Sequence, residues 1–159
     1  MTHTLAREVK LTVPVGVIGF SFGGLLTLMT IAQRPELFAA AVEFSGPTNL
    51  ISLYRDFPAS RMILRFALGA TLEGKPESYR AASPITFVER IKAPLLIIHG
   101  EDDEVVPFSQ GVQMAEALKS VHKEYEFVGV RKGDHALRGK MVEAMDSAMR
   151  FLLTRLNTP

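Results

Sequence analysis

The stretch Val15 to Gly24, read as V-G-V-I-G-F-S-F-G-G, constrains this chain more than any other. A short apolar run leads into Gly19-Phe20-Ser21-Phe22-Gly23, and a long apolar periodic segment begins after Gly24. The order predicts a strand over Val15–Gly19, a sharp turn, and a helix over Gly24–Arg34 buried behind a sheet. A serine at the tip of such a turn sits in a strained backbone conformation, and the residues two positions to either side need to lack side chains so that strand and helix can approach. The turn would lift the Ser21 hydroxyl clear of the sheet and aim the Phe22 amide where an oxyanion could sit. An ordinary serine in a Gly-rich strand-to-helix turn has the same spelling, so the motif takes its meaning from the acid and the histidine further down the chain.

Downstream, Phe38–Phe44 reads as a second buried strand, Leu95–Gly100 as a third and Tyr125–Val130 as a fourth. The third run, L-L-I-I-H-G, does not alternate, which indicates burial on both faces and hence a parallel sheet flanked by helices. Ser83-Pro84 marks a helix start running to Ile91. Ser109 is placed to cap a helix carrying Val112, Ala115, Leu118 and Val121. Met141, Met145, Ala148, Leu152 and Leu156 line one face of a terminal helix, with the Met141, Met145, Met149 stripe read as core packing. Residues 1–12 carry Leu5, Val9 and Leu11 spaced loosely for a helical face. The segment 48–74 reads as one or two short helices broken at Phe57-Pro58, a place for a cap or pocket wall. The expectation is an α/β fold, a three-layer α/β/α sandwich with a mostly parallel sheet and a single domain over 1–159. Its ligand site would lie beyond the carboxyl ends of the strands.

Composition removes several functional classes. A chain of 159 residues can bury a real core. A net charge of +1 gives no electrostatic reason for nucleic acid or an anionic membrane as partner. The absence of cysteine excludes disulfides, thiolate nucleophiles and cysteine metal sites. No cofactor is called for. The first residues lack the apolar core of a signal peptide, and no run is long enough to span a bilayer, so a soluble, cytoplasmic protein is expected.

On a parallel sheet, Ser21 after the first strand, Asp103 after the third and His135 after the fourth fall at one edge. A serine hydroxyl is a weak nucleophile unaided. An imidazole has to take its proton, and a buried carboxylate has to orient the ring and stabilise the imidazolium. The order Ser, Asp, His is that of α/β-hydrolases.

These residues carry a resemblance. G-F-S-F-G-G at 19–24, P-E-L-F-A-A-A-V at 35–42, Ser83-Pro84-Ile85, A-P-L-L-I-I-H-G-E-D-D-E-V-V-P at 93–107 and G-D-H at 133–135 are similar to the C-terminal half of an α/β-hydrolase catalytic domain. Within that superfamily the chain most resembles the prolyl oligopeptidase group of dipeptidyl- and acylaminoacyl-peptidases and related esterases. The resemblance implies Ser21 as nucleophile, Asp103 as acid within H-G-x-x-D-x-x-V-P, and His135 as base, with Asp102 the alternative acid. It also implies further strands ahead of Val15, including a loop that supplies a second oxyanion donor, which leaves the Phe22 amide as the donor expected here. The fold is therefore expected to be a truncated α/β-hydrolase whose first strand has an open outer edge. A homodimer or a domain-swapped oligomer is expected to cover that edge. Relatives often follow the histidine with Gly and an aromatic residue, where this chain has Ala136-Leu137.

Other polar residues have plainer readings. His99, before Gly100, is expected to be structural and hydrogen-bonded under the acidic loop, while His3 and His122 are expected at the surface. Glu101, Asp102, Asp103 and Glu104 lack a calcium-loop spacing, so no metal is expected. Arg131, Lys132, Arg138 and Lys140 read as a solvated face. The functional expectation is a serine hydrolase acting on a small ester, or on a peptide or amide. The competing expectation is a weak or inactive hydrolase-like binding or assembly module, or a fragment of a longer serine peptidase.

Overall fold

The computed structural model describes residues 13–157, so the helical face suggested for residues 1–12 lies outside the described residues. Four strands, β1 (Gly16–Phe20), β2 (Ala40–Phe44), β3 (Leu95–Gly100) and β4 (Tyr125–Val130), form one sheet in the order β1-β2-β3-β4. Every pairing is parallel. All residues of β2 and β3 are buried, whereas β4 alternates between half-buried and exposed positions at first, as an edge strand does. The buried middle strands, apolar apart from Glu43 and His99, are thus explained by helices on both faces.

On one face, α1 (Phe22–Gln33), α5 (Ser109–Ser120) and the 3-10 helix Pro84–Arg90 close a core built on Leu28, Ile31, Leu95, Ile97, Met114 and Leu118. On the other, α6 (Met141–Leu156) lays Ala144, Ala148, Phe151 and Leu152 over Val42, Phe44, Leu96 and Ile98. Small residues let α6 come close: a methyl group on Gly16 would lie 2.9 Å from Leu152 Cδ2. The architecture is therefore a three-layer α/β/α sandwich.

The segment 48–74 folds as α2 (Leu50–Asp56), a 3-10 turn at Pro58–Ser60 and α3 (Arg61–Leu68), followed by α4 (Pro76–Ala81). It packs on α1 through a third cluster of Leu25, Leu50, Leu53, Leu64, Leu72 and Tyr79. The break at Phe57-Pro58 falls between α2 and α3. α4 was not resolved by the sequence pattern, because its six residues supply one buried side chain, Tyr79, and no period.

Several local expectations need correction. α1 starts at Phe22, and its outer face is open, with Phe22 63% and Leu26 49% exposed. β2 starts at Ala40 rather than Phe38. The helix that starts at Ser83-Pro84 is of the 3-10 type and ends at Arg90. Ser83 is used differently: its hydroxyl donates to the Tyr79 carbonyl at 2.7 Å and accepts the Leu50 amide at 2.9 Å, tying α2 to α4. Ser109 is the first residue of α5, not its cap. Finally, Met145 and Met149 are 40% and 45% exposed. Each stands one residue, about 100° around the helix, from the Ala144–Ala148 line that faces the sheet.

Candidate active site

Ser21 follows β1 with φ 56° and ψ −120°, a positive-φ conformation forced on a residue that has a side chain. The surroundings hold it there. Its amide donates to the Phe44 carbonyl at 2.7 Å, and its carbonyl accepts the Gly24 and Leu25 amides at 2.9 and 3.2 Å. A methyl group on Gly19 would lie 2.1 Å from the Gly23 carbonyl oxygen, so that glycine is required for the turn. Gly23 itself faces open space, contrary to the expectation that both flanking glycines are sterically required. The second required position is Gly24, where a methyl group would lie 3.1 Å from Gly46 Cα and 2.9 Å from Glu43 Oε2.

Asp103 sits in the loop after β3 and is buried, whereas its neighbour Asp102 is exposed. Asp103 Oδ1 accepts the amides of Val105 and Val106 at 2.9 and 2.8 Å. Its Oδ2 accepts from His135 Nδ1 at 2.8 Å. Burial works to raise the carboxyl, but the hydrogen bonds from His99, His135 and the two amides outweigh it and hold the group at about 2. The acid is thus kept ionised, with Oδ2 nearest the His135 imidazole and within reach of His99.

His135 lies in the loop after β4, and its Nε2 is 2.9 Å from Ser21 Oγ. With Asp103 accepting at Nδ1, that nitrogen carries the proton and Nε2 is free to receive the serine's. Phe20 packs beside the ring at 5.0 Å between centroids. Behind it the loop is anchored by Leu137, which is fully buried between β4 and α6 in spite of φ 51°. The Ala136-Leu137 pair therefore supplies an apolar anchor. The Phe22 amide opens α1, where the first helical amides have no carbonyl a turn earlier to bond.

Of the remaining sequence candidates, His99 touches this group, its Nε2 lying 3.4 Å from Asp103 Oδ2. His99 is fully buried, with Nε2 2.9 Å from the Val106 carbonyl oxygen. His122 is exposed, and His3 lies outside the described residues. Arg131, Lys132 and Arg138 are exposed, and Arg138 pairs with Asp134 at 3.2 Å.

Beside Ser21 opens an apolar cavity of about 370 Å³, lined by Phe22, Phe57, Ile63, Leu64 and Val105 among others. Its far wall belongs to α2 and α3. A residue the sequence reading missed holds that wall: Gln110 of α5, 1% exposed. Its Oε1 accepts the amides of Thr48 and Asn49 at 3.0 and 2.8 Å, and its Nε2 donates to Ser52 Oγ at 3.0 Å. The Thr48 hydroxyl returns a bond to the Gln110 carbonyl at 2.7 Å.

Comparison with known proteins places the chain. A sequence model of the prolyl oligopeptidase family matches residues 7–158. The chain belongs to the prolyl oligopeptidase family. Among its relatives, the uncharacterized peptidase YtmA of Bacillus subtilis is 31% identical over 112 residues, which is 70% of this chain and 44% of that one. The acylamino-acid-releasing enzyme of Sus scrofa is 32% identical over 146 residues, 87% of this chain and 20% of the enzyme. The solved acylaminoacyl peptidase of Pyrococcus horikoshii superposes with a TM-score of 0.82 at 26% identity, over 92% of this chain and 24% of that structure. This prolyl oligopeptidase family member thus spans less than half the length of these relatives. It shares their α/β-hydrolase fold.

Proposed function

We propose that this chain carries the acyl-transfer chemistry of a serine hydrolase, with Ser21 as nucleophile, His135 as general base and then acid, and Asp103 as the carboxylate that orients His135. The observation that carries the reading is the relay of 2.9 Å from Ser21 Oγ to His135 Nε2 and 2.8 Å from His135 Nδ1 to Asp103 Oδ2. In this reading Ser21 Oγ attacks the substrate carbonyl while its proton passes to His135 Nε2. Asp103, already ionised, stabilises the imidazolium. The oxyanion receives the Phe22 amide at the N-terminus of α1, where the helix dipole also favours negative charge. His135 returns the proton to the leaving group, and water repeats the cycle on the acyl-enzyme.

The substrate class is a peptide or N-acylated amino acid. Family membership and the names of the relatives favour it, and the cavity formed by Phe57, Ile63 and Leu64 suits an apolar group beside the scissile bond. Small esters with an apolar acyl group fit the same cavity and form the second reading. A homodimer or domain-swapped assembly belongs to this proposal as well: Ile18 and Phe20 of β1 are 42% and 41% exposed at the outer strand. A purely monomeric sedimentation profile at high concentration would count against that part.

A fluorophosphonate probe tests the chemistry. Stoichiometric labelling that vanishes in Ser21→Ala supports the enzyme. A folded protein that takes no label supports the binding or assembly module instead.

A further inference from the structure

His99 lies behind the relay, next to the last residue of β3, and is 0% exposed. Its seat fixes the ring. Phe108 meets it edge to face with centroids 5.8 Å apart, and a methyl group on Gly111 of α5 would lie 3.0 Å from Nδ1 and 3.3 Å from Cβ. Helix α5 thus closes the Nδ1 side, where that nitrogen has no hydrogen-bond partner among the described residues. Nε2 is turned to the loop after β3, 2.9 Å from the Val106 carbonyl oxygen and 3.4 Å from Asp103 Oδ2. Both oxygens are acceptors, so Nε2 carries a proton and donates to Val106. It does so in the neutral ring and in the imidazolium alike, and the tie holds in either form.

Residues 103–106 form a closed unit, because Asp103 Oδ1 accepts the amides of Val105 and Val106 at 2.9 and 2.8 Å. Val106 is therefore bound through both of its backbone groups, its amide to Asp103 and its carbonyl to His99. Among the described residues, the hydrogen bonds that leave this unit run to two side chains, His135 and His99. The preceding residues are tied elsewhere: the Glu101 amide donates to the Val130 carbonyl at 3.1 Å, and the Asp102 amide to that of Gly133 at 2.9 Å. His99 is thus the point at which β3 takes hold of the segment that carries the acid. Filling the core alone needs no imidazole, since an apolar side chain of similar bulk leaves no buried nitrogen unpaired.

We propose that His99 is a positioning residue for Asp103: its Nε2–H, by holding the Val106 carbonyl and facing Oδ2, fixes the acid loop where Oδ2 meets His135 Nδ1 at 2.8 Å. The effect on turnover rests on the hydrolase reading above, whereas the tie itself does not. His99 moves no proton in the reaction. Released from His99, residues 103–106 would shift as a unit, carrying Oδ2 away from His135 while the bonds inside the unit survive.

The test compares His99→Leu, His99→Gln and His99→Asn in the full chain. Glutamine carries an N–H the same number of bonds from Cα as the histidine Nε2, whereas asparagine carries it where Nδ1 stands. Two readouts are taken: hydrolysis of a p-nitrophenyl ester of an apolar acid, and the downfield proton resonance of His135 Nδ1–H, which reports its bond to Asp103. In His99→Leu, kcat is expected to fall on the order of ten- to a hundredfold, up to what a misplacement of about 1 Å causes. KM stays near that of the parent, because His99 does not line the apolar cavity beside Ser21. The downfield resonance moves upfield or is lost. His99→Gln restores both readouts, and His99→Asn restores neither.

Unchanged kcat and resonance in His99→Leu overturn the proposal. So does a His99→Gln variant as impaired as His99→Leu, which assigns the ring to core packing. A parent chain that hydrolyses nothing and takes no fluorophosphonate label, but whose resonance follows the same order among the variants, refutes the hydrolase reading and leaves the positioning of Asp103 standing. If no variant folds, the parent supplies the measurement. Long-range 1H–15N spectra are expected to place the proton of the neutral His99 ring on Nε2, and a proton on Nδ1 instead overturns the tie.

Discussion

Gly100 and Gly133 meet where β3 ends and the His135 loop begins. A methyl group on Gly100 would lie 2.3 Å from the Gly133 carbonyl oxygen and 2.6 Å from that of Asp134. The contact is closed by a hydrogen bond from the Asp102 amide to the same Gly133 carbonyl at 2.9 Å. One backbone juxtaposition therefore brings the acidic loop and the histidine loop together.

Gly100→Ala is expected to push the histidine loop away while sparing the helices. A displacement of about 1 Å lowers turnover on the order of a hundredfold when the reacting groups lose alignment. Far-UV circular dichroism should stay close to that of the parent, and kcat on an acyl-transfer substrate should fall. Retained turnover would show that the loop relaxes around the methyl group.

Gln110→Ala should loosen the wall of the apolar cavity. The substitution strands the amides of Thr48 and Asn49, which otherwise meet one carboxamide. A buried polar group left unsatisfied costs about 1–3 kcal/mol. Urea unfolding should register a loss of about 2–4 kcal/mol, smaller than a simple sum because the exposed side can rehydrate. Substrates with bulky apolar groups should lose more in KM than small ones do, since Leu53 and Phe57 sit on the element that is released.

The buried carboxyls give opposite dependences of stability on pH. Glu43 is raised by burial from 4.5 to about 7, so the folded state holds its proton more tightly than the unfolded state. Its burial is tolerated below about pH 4.5 and becomes progressively destabilising as pH rises towards 7. Glu43→Gln should therefore stabilise the protein at pH 8 by about 3 kcal/mol, at 1.36 kcal/mol per unit, and by much less at pH 4.5. Asp103 runs the other way. Burial raises its carboxyl, but the bonds from His99, His135 and the Val105 and Val106 amides bring it down from 3.8 to about 2. Its contribution is present above pH 3.8 and is lost as pH falls towards 2. Urea midpoints measured in the parent, Glu43→Gln and Asp103→Asn across this range separate the two effects.

Leu137→Ala should free the segment that carries His135. Truncating a fully buried leucine costs about 2–5 kcal/mol, depending on how far the site collapses. The loss should appear in thermal unfolding, and kcat should fall at temperatures where the protein is still folded. Unchanged kcat with lowered stability would assign Leu137 to the core alone.

The sequence is most informative where chemistry dictates spacing. Gly19 to Gly23, the run from His99 to Pro107 and Gly133 to His135 each announce a turn after a strand, and parallel topology then brings those turns to one edge. The layer order was legible because β2 and β3 lack alternation and so need helices on both faces. Gln110 and Glu43 were not legible. Gln110 occupies a helix position where an exposed amide is common, and its partners are 61 and 62 residues away in the chain. Glu43 interrupts the apolar run F-A-A-A-V-E-F, and its cradle is made by Gly46, three residues on, and by Gly24 of α1. Methionine placement failed for a geometric reason: a stripe at the right period can still run one residue out of phase with the buried face.

The positive-φ backbone at Ser21 has a consequence for timing. Because its amide is tied to the Phe44 carbonyl and its own carbonyl to the first turn of α1, the backbone beneath the hydroxyl is held from both sides once the chain has folded. A substrate arriving later meets a turn that needs no further ordering. Lesions that slacken the contact between α1 and the end of β2 would then register as a hydroxyl that wanders, long before they register as a protein that melts.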